Sequence, residues 1–194
     1  MQYEGLKAGV QKHVSLTGDE MATFCSPFQL HTYHKKDFLL REGEVCRFEG
    51  FVTRGCLRIY AIDSNGYEHV LYFATEGWWI TDIDSFTTQR PSQLFIEALE
   101  DCEVLQIGKT EKERLYQDLP VTEKLFRIMT QKTHVALQRR MLGALSQTAD
   151  ERYLGFVEKY PELEQRLTQQ QVAAYLGISH EFLSKIRKRL SRKK

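Results

Sequence analysis

The feature that most constrains this chain is an absence: neither glycine nor proline interrupts residues 121–142. That stretch predicts a single helix from Val121 to about Ser146, roughly 39 Å long at 1.5 Å per residue. Apolar or small residues fall on two of its faces. Leu125, Ile128, Val135 and Leu142 make one stripe; Phe126, Met129, Thr133 and Ala136 make the other. A helix that is apolar on two sides needs two partners. One can be its own domain. The natural second is the same helix of another subunit, because a helix this long exceeds the side of a small domain. The expected dimer-helix residues are Leu125, Ile128, Met129, Val135, Ala136 and Leu142, and the pattern leaves open which stripe forms the seam.

The chain before this helix has a different texture. From residue 30 to 107, short apolar or alternating runs are split by glycine and asparagine: 36–40, 43–48, 50–53, 56–62, 67–74, 94–99 and 103–107. Seven or eight short strands at this spacing predict a sandwich or barrel, read here as a small antiparallel jelly roll. Ser64-Asn65-Gly66 signals a hairpin, because Asn-Gly accepts the positive φ angles of a type I′ turn. Two capping boxes are expected to open short helices, Thr17 with Glu20 and Thr110 with Glu113. The second helix should break at Asp118-Leu119-Pro120.

Beyond the long helix lies a small helical unit. An amphipathic helix is expected over residues 150–160, with Tyr153, Leu154, Phe156 and Val157 inward, ended by Pro161. Thr168 with Gln171 is a third capping box, so another helix starts at Gln169. Gly177 interrupts it, and Ser179 can cap a last helix over 180–190. Ala173 lets two steeply crossing helices approach, and Gly177 tolerates the positive φ of a tight turn. Val172, Leu176, Ile178, Leu183 and Ile186 should form the small core beneath them. This is the spacing of a helix-turn-helix. Its second helix leaves His180, Glu181, Ser184 and Lys185 as candidate base readers, since the first residues of such a helix reach base edges in the major groove. Glu181 can accept from a cytosine amino group, and Lys185 can donate to guanine. Thr168, Gln169, Arg187, Lys188, Arg189 and Arg192 are the candidate phosphate contacts.

Charge supports a nucleic-acid partner. From His180 onward seven lysines and arginines stand against Glu181 alone, while the whole chain carries only +1. A mildly acidic body with a basic tip is the asymmetry expected of a DNA binder. Cys25, Cys46, Cys56 and Cys102 lie far apart with no C-x-x-C pair. Buried thiols are therefore expected rather than a zinc site, an iron–sulfur cluster or a disulfide framework. No segment has the length and apolarity of a membrane helix, and residues 1–10 lack the apolar core of a signal peptide. The expectation is a cytoplasmic protein with no membrane partner.

With these residues in place, the chain resembles the Crp/Fnr family of regulators over nearly its whole length. The helix-turn-helix at 167–189, LTQQQVAAYLGISHEFLSKIRKR, is the most specific part. Residues 59–73, IYAIDSNGYEHVLYF, look like the family's β hairpin ahead of its ligand cassette. The resemblance implies an α+β fold: a cyclic-nucleotide-binding-like β roll over residues 1–119, a dimerisation helix over 120–147, and an all-α helix-turn-helix domain over 148–194. The family's wing would be truncated at Lys194. It implies a homodimer on a two-fold-symmetric DNA site, with RNA polymerase as a candidate partner. It also places His180, Glu181 and Lys185 at base-reading positions.

The ligand cassette departs from the family pattern. Cyclic-AMP-binding members carry Gly-Glu and, about ten residues on, an Arg followed by Ser or Thr. Here Thr81 and Asp82 stand for Gly-Glu, and Ser92 falls where the Arg should be. Arg90 lies two residues away, which in a strand keeps the face but shifts the position by about 7 Å. Losing a guanidinium from a cyclic phosphate removes charge-assisted hydrogen bonds of about 1.5–3 kcal/mol. Any small-molecule effector is thus expected to be something other than cyclic AMP. Its candidate pocket is Trp79, Thr81, Asp82, Arg90, Ser92 and Gln93. No cofactor and no catalysis are expected. A cupin-like metal enzyme on His31, His34, Glu42 and His69 is disfavoured, because His31 and His34 are three apart rather than the two that share a strand face. A module that has lost DNA binding is the remaining alternative.

Overall fold

The computed structural model describes residues 2–191. Its β roll is two four-stranded sheets. One has the order β1 (Gln29–Tyr33), β8 (Cys102–Gly108), β3 (Phe48–Arg54), β6 (Trp79–Ile80). The other has the order β2 (Phe38–Leu40), β7 (Phe95–Ala98), β4 (Leu57–Ile62), β5 (Glu68–Ala74). Every strand pairing whose register is resolved is antiparallel, as expected for a jelly roll.

Alternation along β3 and β8 gives their sheet two apolar faces. Val52 sits opposite Val104, and Phe51 opposite Leu105. Phe51, Leu105 and Ile107 join a core with helices α1 (Glu4–Gln11), α2 (Gly18–Cys25), α4 (Lys109–Asp118) and α5 (Val121–Ser146). Alternation sends Val52 and Val104 to the other face. Gly50 is needed between them, since a Cβ there would come within 2.7 Å of a Val104 methyl. Lys112 of α4 places its half-buried ammonium beside Glu49 of β3 and 4.0 Å from the Phe126 ring centre.

Several expectations need correction. Of the expected strand 43–48, residues 43–47 are a turn and an irregular segment, and only Phe48 is in a strand, as the first residue of β3; Gly43 has a φ of 84°. The β4–β5 hairpin does not use a type I′ turn, because Asn65 lacks a positive φ and only Gly66 has one, at 84°. Gly66 N–H donates to Asp63 O at 2.9 Å, and Asp63 N–H to Tyr67 O at 3.0 Å. This is a three-residue loop with a glycine bulge. The Asp63 carboxylate stabilises it by accepting from the Asn65 and Tyr67 amides. The Thr110–Glu113 box does not form either: α4 begins at Lys109, with Gly108 at the cap position and no side-chain cap. Strand β1 and helices α1 and α3 (Ile83–Thr88) are additional elements. Most of β1 is exposed, so it carries no apolar alternation to read.

The described residues gather into two compact units, one of residues through 60 with 73–132, the other of 61–72 with 133 onward. The long helix spans Val121–Ser146, 26 residues. In the second unit, helix α6 (Ala149–Lys159) opens with a capping box between Thr148 and Glu151. Tyr153 and Phe156 are buried, but Leu154 is 49% exposed rather than inward. Pro161 ends α6 and also starts a further short helix, α7 (Pro161–Arg166), as its first residue; proline's fixed φ and missing N–H suit that position.

Candidate nucleic-acid interface and effector cassette

Helix α8 (Gln169–Leu176) starts at the expected capping box: Thr168 Oγ accepts from Gln171 N–H, and the Gln171 side chain accepts from Thr168 N–H. Gly177 closes it in the left-handed region, at φ 66° and ψ 39°. Both Gly177 and Ile178 amides then donate to Ala173 O. A side chain at Gly177 would be strained there. Ser179 Oγ accepts from the Phe182 amide at 3.2 Å and so caps helix α9 (His180–Ser191). Val172, Ala173 and Leu176 are buried, and Leu183 and Ile186 are fully buried. Ile178 is half-buried at the rim.

Packing Leu183 and Ile186 inward turns His180, Glu181, Ser184 and Lys185 outward, and all four are exposed. Glu181 is held below the ordinary carboxylate range, first by its own backbone N–H and then by the Ser179 hydroxyl. Near neutral pH it is therefore a charged acceptor. Thr168, Gln169 and Lys188 are also exposed. Two of the proposed phosphate contacts are spent within the unit. Arg187 lies 3.5 Å from Glu164, whose carboxylate also accepts from the Tyr153 hydroxyl, and Arg189 pairs with Asp150. Arg192 lies outside the described residues.

Two features here lie outside the expected site residues. Phe182 is 44% exposed on the first turn of α9. Its signal is its place outside the inner pair Leu183 and Ile186. Arg140, on the long helix, donates to the Val70, Leu71 and Tyr175 carbonyls and stacks 4.2 Å from the Tyr175 ring centre. Burial pulls its guanidinium below its ordinary value. The contact ties the β5 backbone and the end of α8 to α5. Nothing in the run Gln138-Arg139-Arg140 distinguishes it from an exposed neighbour.

Of the six cassette residues, Asp82 and Ser92 are brought together by a direct hydrogen bond, and the six do not share one open pocket. Residues 83–88 form helix α3, so Arg90 is not displaced along a strand. Asp82 is the N-cap of that helix, with one oxygen accepting from the Asp84 and Ser85 amides. Its other oxygen accepts from Ser92 Oγ at 2.6 Å. Asp82 and Ser92 are buried at 6% and 4% exposure. Arg90 and Gln93 are exposed, and the Arg90 backbone carbonyl is bound by Ser85 Oγ at 2.6 Å. Thr81 Oγ donates to Phe48 O at 2.9 Å. Trp79 packs edge-on against Phe28, Phe51 and Phe126, so it belongs to the apolar core rather than to a pocket wall.

The long helix also sorts its stripes. Leu125 is fully buried in its own unit's core, and Met129 packs against that core. Val135, Leu142 and Leu145 are 41%, 54% and 78% exposed, Ala136 is exposed, and Ile128 is half-buried. The histidines weighed as metal ligands are separately engaged. His31 stacks on Tyr33, His34 faces Asp101 at 3.7 Å, and His69 meets Asp63 at 2.8 Å. All four cysteines are buried. No described helix is long and apolar enough to cross a membrane.

Comparison with known proteins agrees with this layout. The family model for the cyclic nucleotide-binding domain matches residues 30–118. The cAMP-activated global transcriptional regulator CRP of Salmonella typhimurium is 22% identical over 189 residues, covering 90% of this chain and 88% of the relative. The c-di-GMP responsive global regulator CLP of Xanthomonas campestris shares the fold, with a TM-score of 0.76 at 16% identity over 91% of this chain and 93% of that one. So does a CRP/FNR-family transcriptional regulator from Thermus thermophilus, with a TM-score of 0.66 at 19% identity over 85% of this chain and 87% of that one.

Proposed function

We propose that the chain is a regulator of the Crp/Fnr type that works as a homodimer and reads a two-fold-symmetric DNA site without cyclic AMP. One observation carries the DNA part: α9 buries Leu183 and Ile186 and presents His180, Glu181, Ser184 and Lys185 outward from its first two turns. An α-helix fits the major groove, and a bidentate side chain there discriminates bases by about 1–3 kcal/mol. Thr168, Gln169 and Lys188 hold phosphates. Arg187 and Arg189 contribute only by exchanging Glu164 and Asp150 for the backbone.

The dimer seam is a stripe of α5 that is half-buried at Ile128 and exposed from Val135 onward. Ile128, Val135 and Leu142 recur every seven residues, and Leu145 follows three after Leu142. This is coiled-coil spacing, with Gln131 and Gln138 at the alternate positions. Leu125 and Met129 are committed inward and leave the seam. Ala136 lies to the side of it.

Against cyclic AMP stands the Asp82–Ser92 hydrogen bond. The acidic side chain that would hold a ribose hydroxyl is instead a helix cap, and its partner is a neutral hydroxyl where a cyclic phosphate requires a cation. Any small-molecule effector of the roll must be recognised by other groups. RNA polymerase remains the candidate protein partner, to be tested by transcription in vitro from a promoter carrying the selected site.

The test is selection from a random duplex pool at about 0.15 M salt, where screening tempers non-specific attraction. A palindrome with half-sites one helical turn apart, roughly 34 Å, is expected. Enrichment of an unpaired half-site would remove the dimer. No enrichment, with or without cell extract, would remove the DNA reading.

A further inference from the structure

We propose that Phe182 is a specificity residue that packs against the C5-methyl group of a thymine in each half-site; the inference rests on the DNA reading above. Every other outward residue of the first two turns of α9 is polar: His180, Glu181, Ser184 and Lys185. Phe182 alone breaks that face, at 44% exposure. Its backbone is fixed, because its amide donates to the capping Ser179 hydroxyl. The ring is thus held on the turn that enters the groove first.

Angular position gives it a defined neighbour. At about 100° per residue, Phe182 stands a quarter-turn or so from Glu181, with Lys185 between them on the helix surface. His180 and Ser184 lie on the opposite flank. Phe182 and Lys185 are three residues apart, a spacing that brings Cβ atoms to about 5–6 Å. Successive bases on a strand are about 3.4 Å apart. The base touched by Phe182 therefore lies one or two steps from the base read by Lys185. In the major groove the one methyl group on a base edge is that of thymine, and phenylalanine is among the side chains that pack on it. A wall of phosphates would offer the ring nothing apolar.

The experiment uses the full chain and the palindrome recovered by selection. Each thymine of the half-site is replaced in turn by deoxyuridine, which deletes only the methyl group, and affinity is measured by fluorescence anisotropy. The expected result is one thymine, within two steps of a guanine, whose replacement weakens binding several-fold. The Phe182→Ala protein should bind the thymine and uracil duplexes equally, and Phe182→Leu should keep part of the discrimination. Circular dichroism of both variants checks that the exposed position leaves folding unchanged. Should every uracil duplex bind as tightly as its parent, or should Phe182→Ala keep the full discrimination, the inference is overturned while the DNA reading stands. A protein that retains no duplex overturns both.

Discussion

The β-roll cassette and the last helix handle polar side chains in opposite ways. In the cassette, Asp82 and Ser92 stand where the family resemblance leads one to expect ligand contacts, yet both are buried and bonded to each other. On α9, His180, Glu181, Ser184 and Lys185 are exposed, and an N-cap and two buried apolar residues fix the direction in which they point. On the proposed reading, availability rather than the mere presence of polar groups separates a site that can take a ligand from one that is closed.

The largest expected effect tests what makes the exposed helix useful. Leu142→Glu places like charges across the proposed seam. It should convert the protein to a monomer in sedimentation and lower affinity for the full palindrome by about 10²-fold or more, as two linked contacts become one. A variant that stays dimeric would move the seam elsewhere on α5. Next, Lys185→Ala should cost about 1–3 kcal/mol of discrimination at one base pair. That is a loss of about 5- to 150-fold on the matched site, with little change on a site altered at that pair. A uniform loss on all sequences would make Lys185 a phosphate contact.

The cassette side has smaller effects. Ser92→Ala leaves one oxygen of a buried carboxylate with one partner fewer and should cost about 1–3 kcal/mol of stability, read as a lower denaturation midpoint with DNA affinity unchanged. A shift within error would mean that this hydrogen bond is not what closes the cassette. The smallest effect is a pH dependence. Hydrogen bonds from the Thr17 and Thr148 caps hold Glu20 and Glu151 below the ordinary 4.5. A carboxyl depressed on folding stabilises fully above its unfolded value and loses that contribution as pH falls through the folded one. Thermal stability should therefore fall slightly more steeply below about pH 4.5 in the native chain than in Glu20→Gln/Glu151→Gln, where glutamine keeps the capping geometry without titrating. Parallel curves would dissociate the boxes from acid sensitivity.

Much of the reader was legible in the sequence because its determinants are local. The Thr168–Gln171 box, Gly177 and the Ser179 cap each act within four residues, so spacing alone placed α8, the turn and α9. The long helix was legible for the same reason. The cassette was harder. Whether Asp82 is a ligand group or a helix cap depends on α3, a helix of six residues with no apolar periodicity. The pairing of Arg187 with Glu164 and of Arg189 with Asp150 joins residues 23 and 39 apart, beyond any local pattern. Trp79 was ambiguous because an aromatic in a strand can face a core or a pocket, and only Phe28, Phe51 and Phe126 around it decide.

The most direct test of the contrast is to run the duplex selection twice, once with saturating cyclic AMP and once without. A working reader beside a closed cassette predicts the same palindrome, equally enriched, in both. A palindrome that emerges only with cyclic AMP would mean that Asp82 and Ser92 open to the nucleotide, and it would contradict the account.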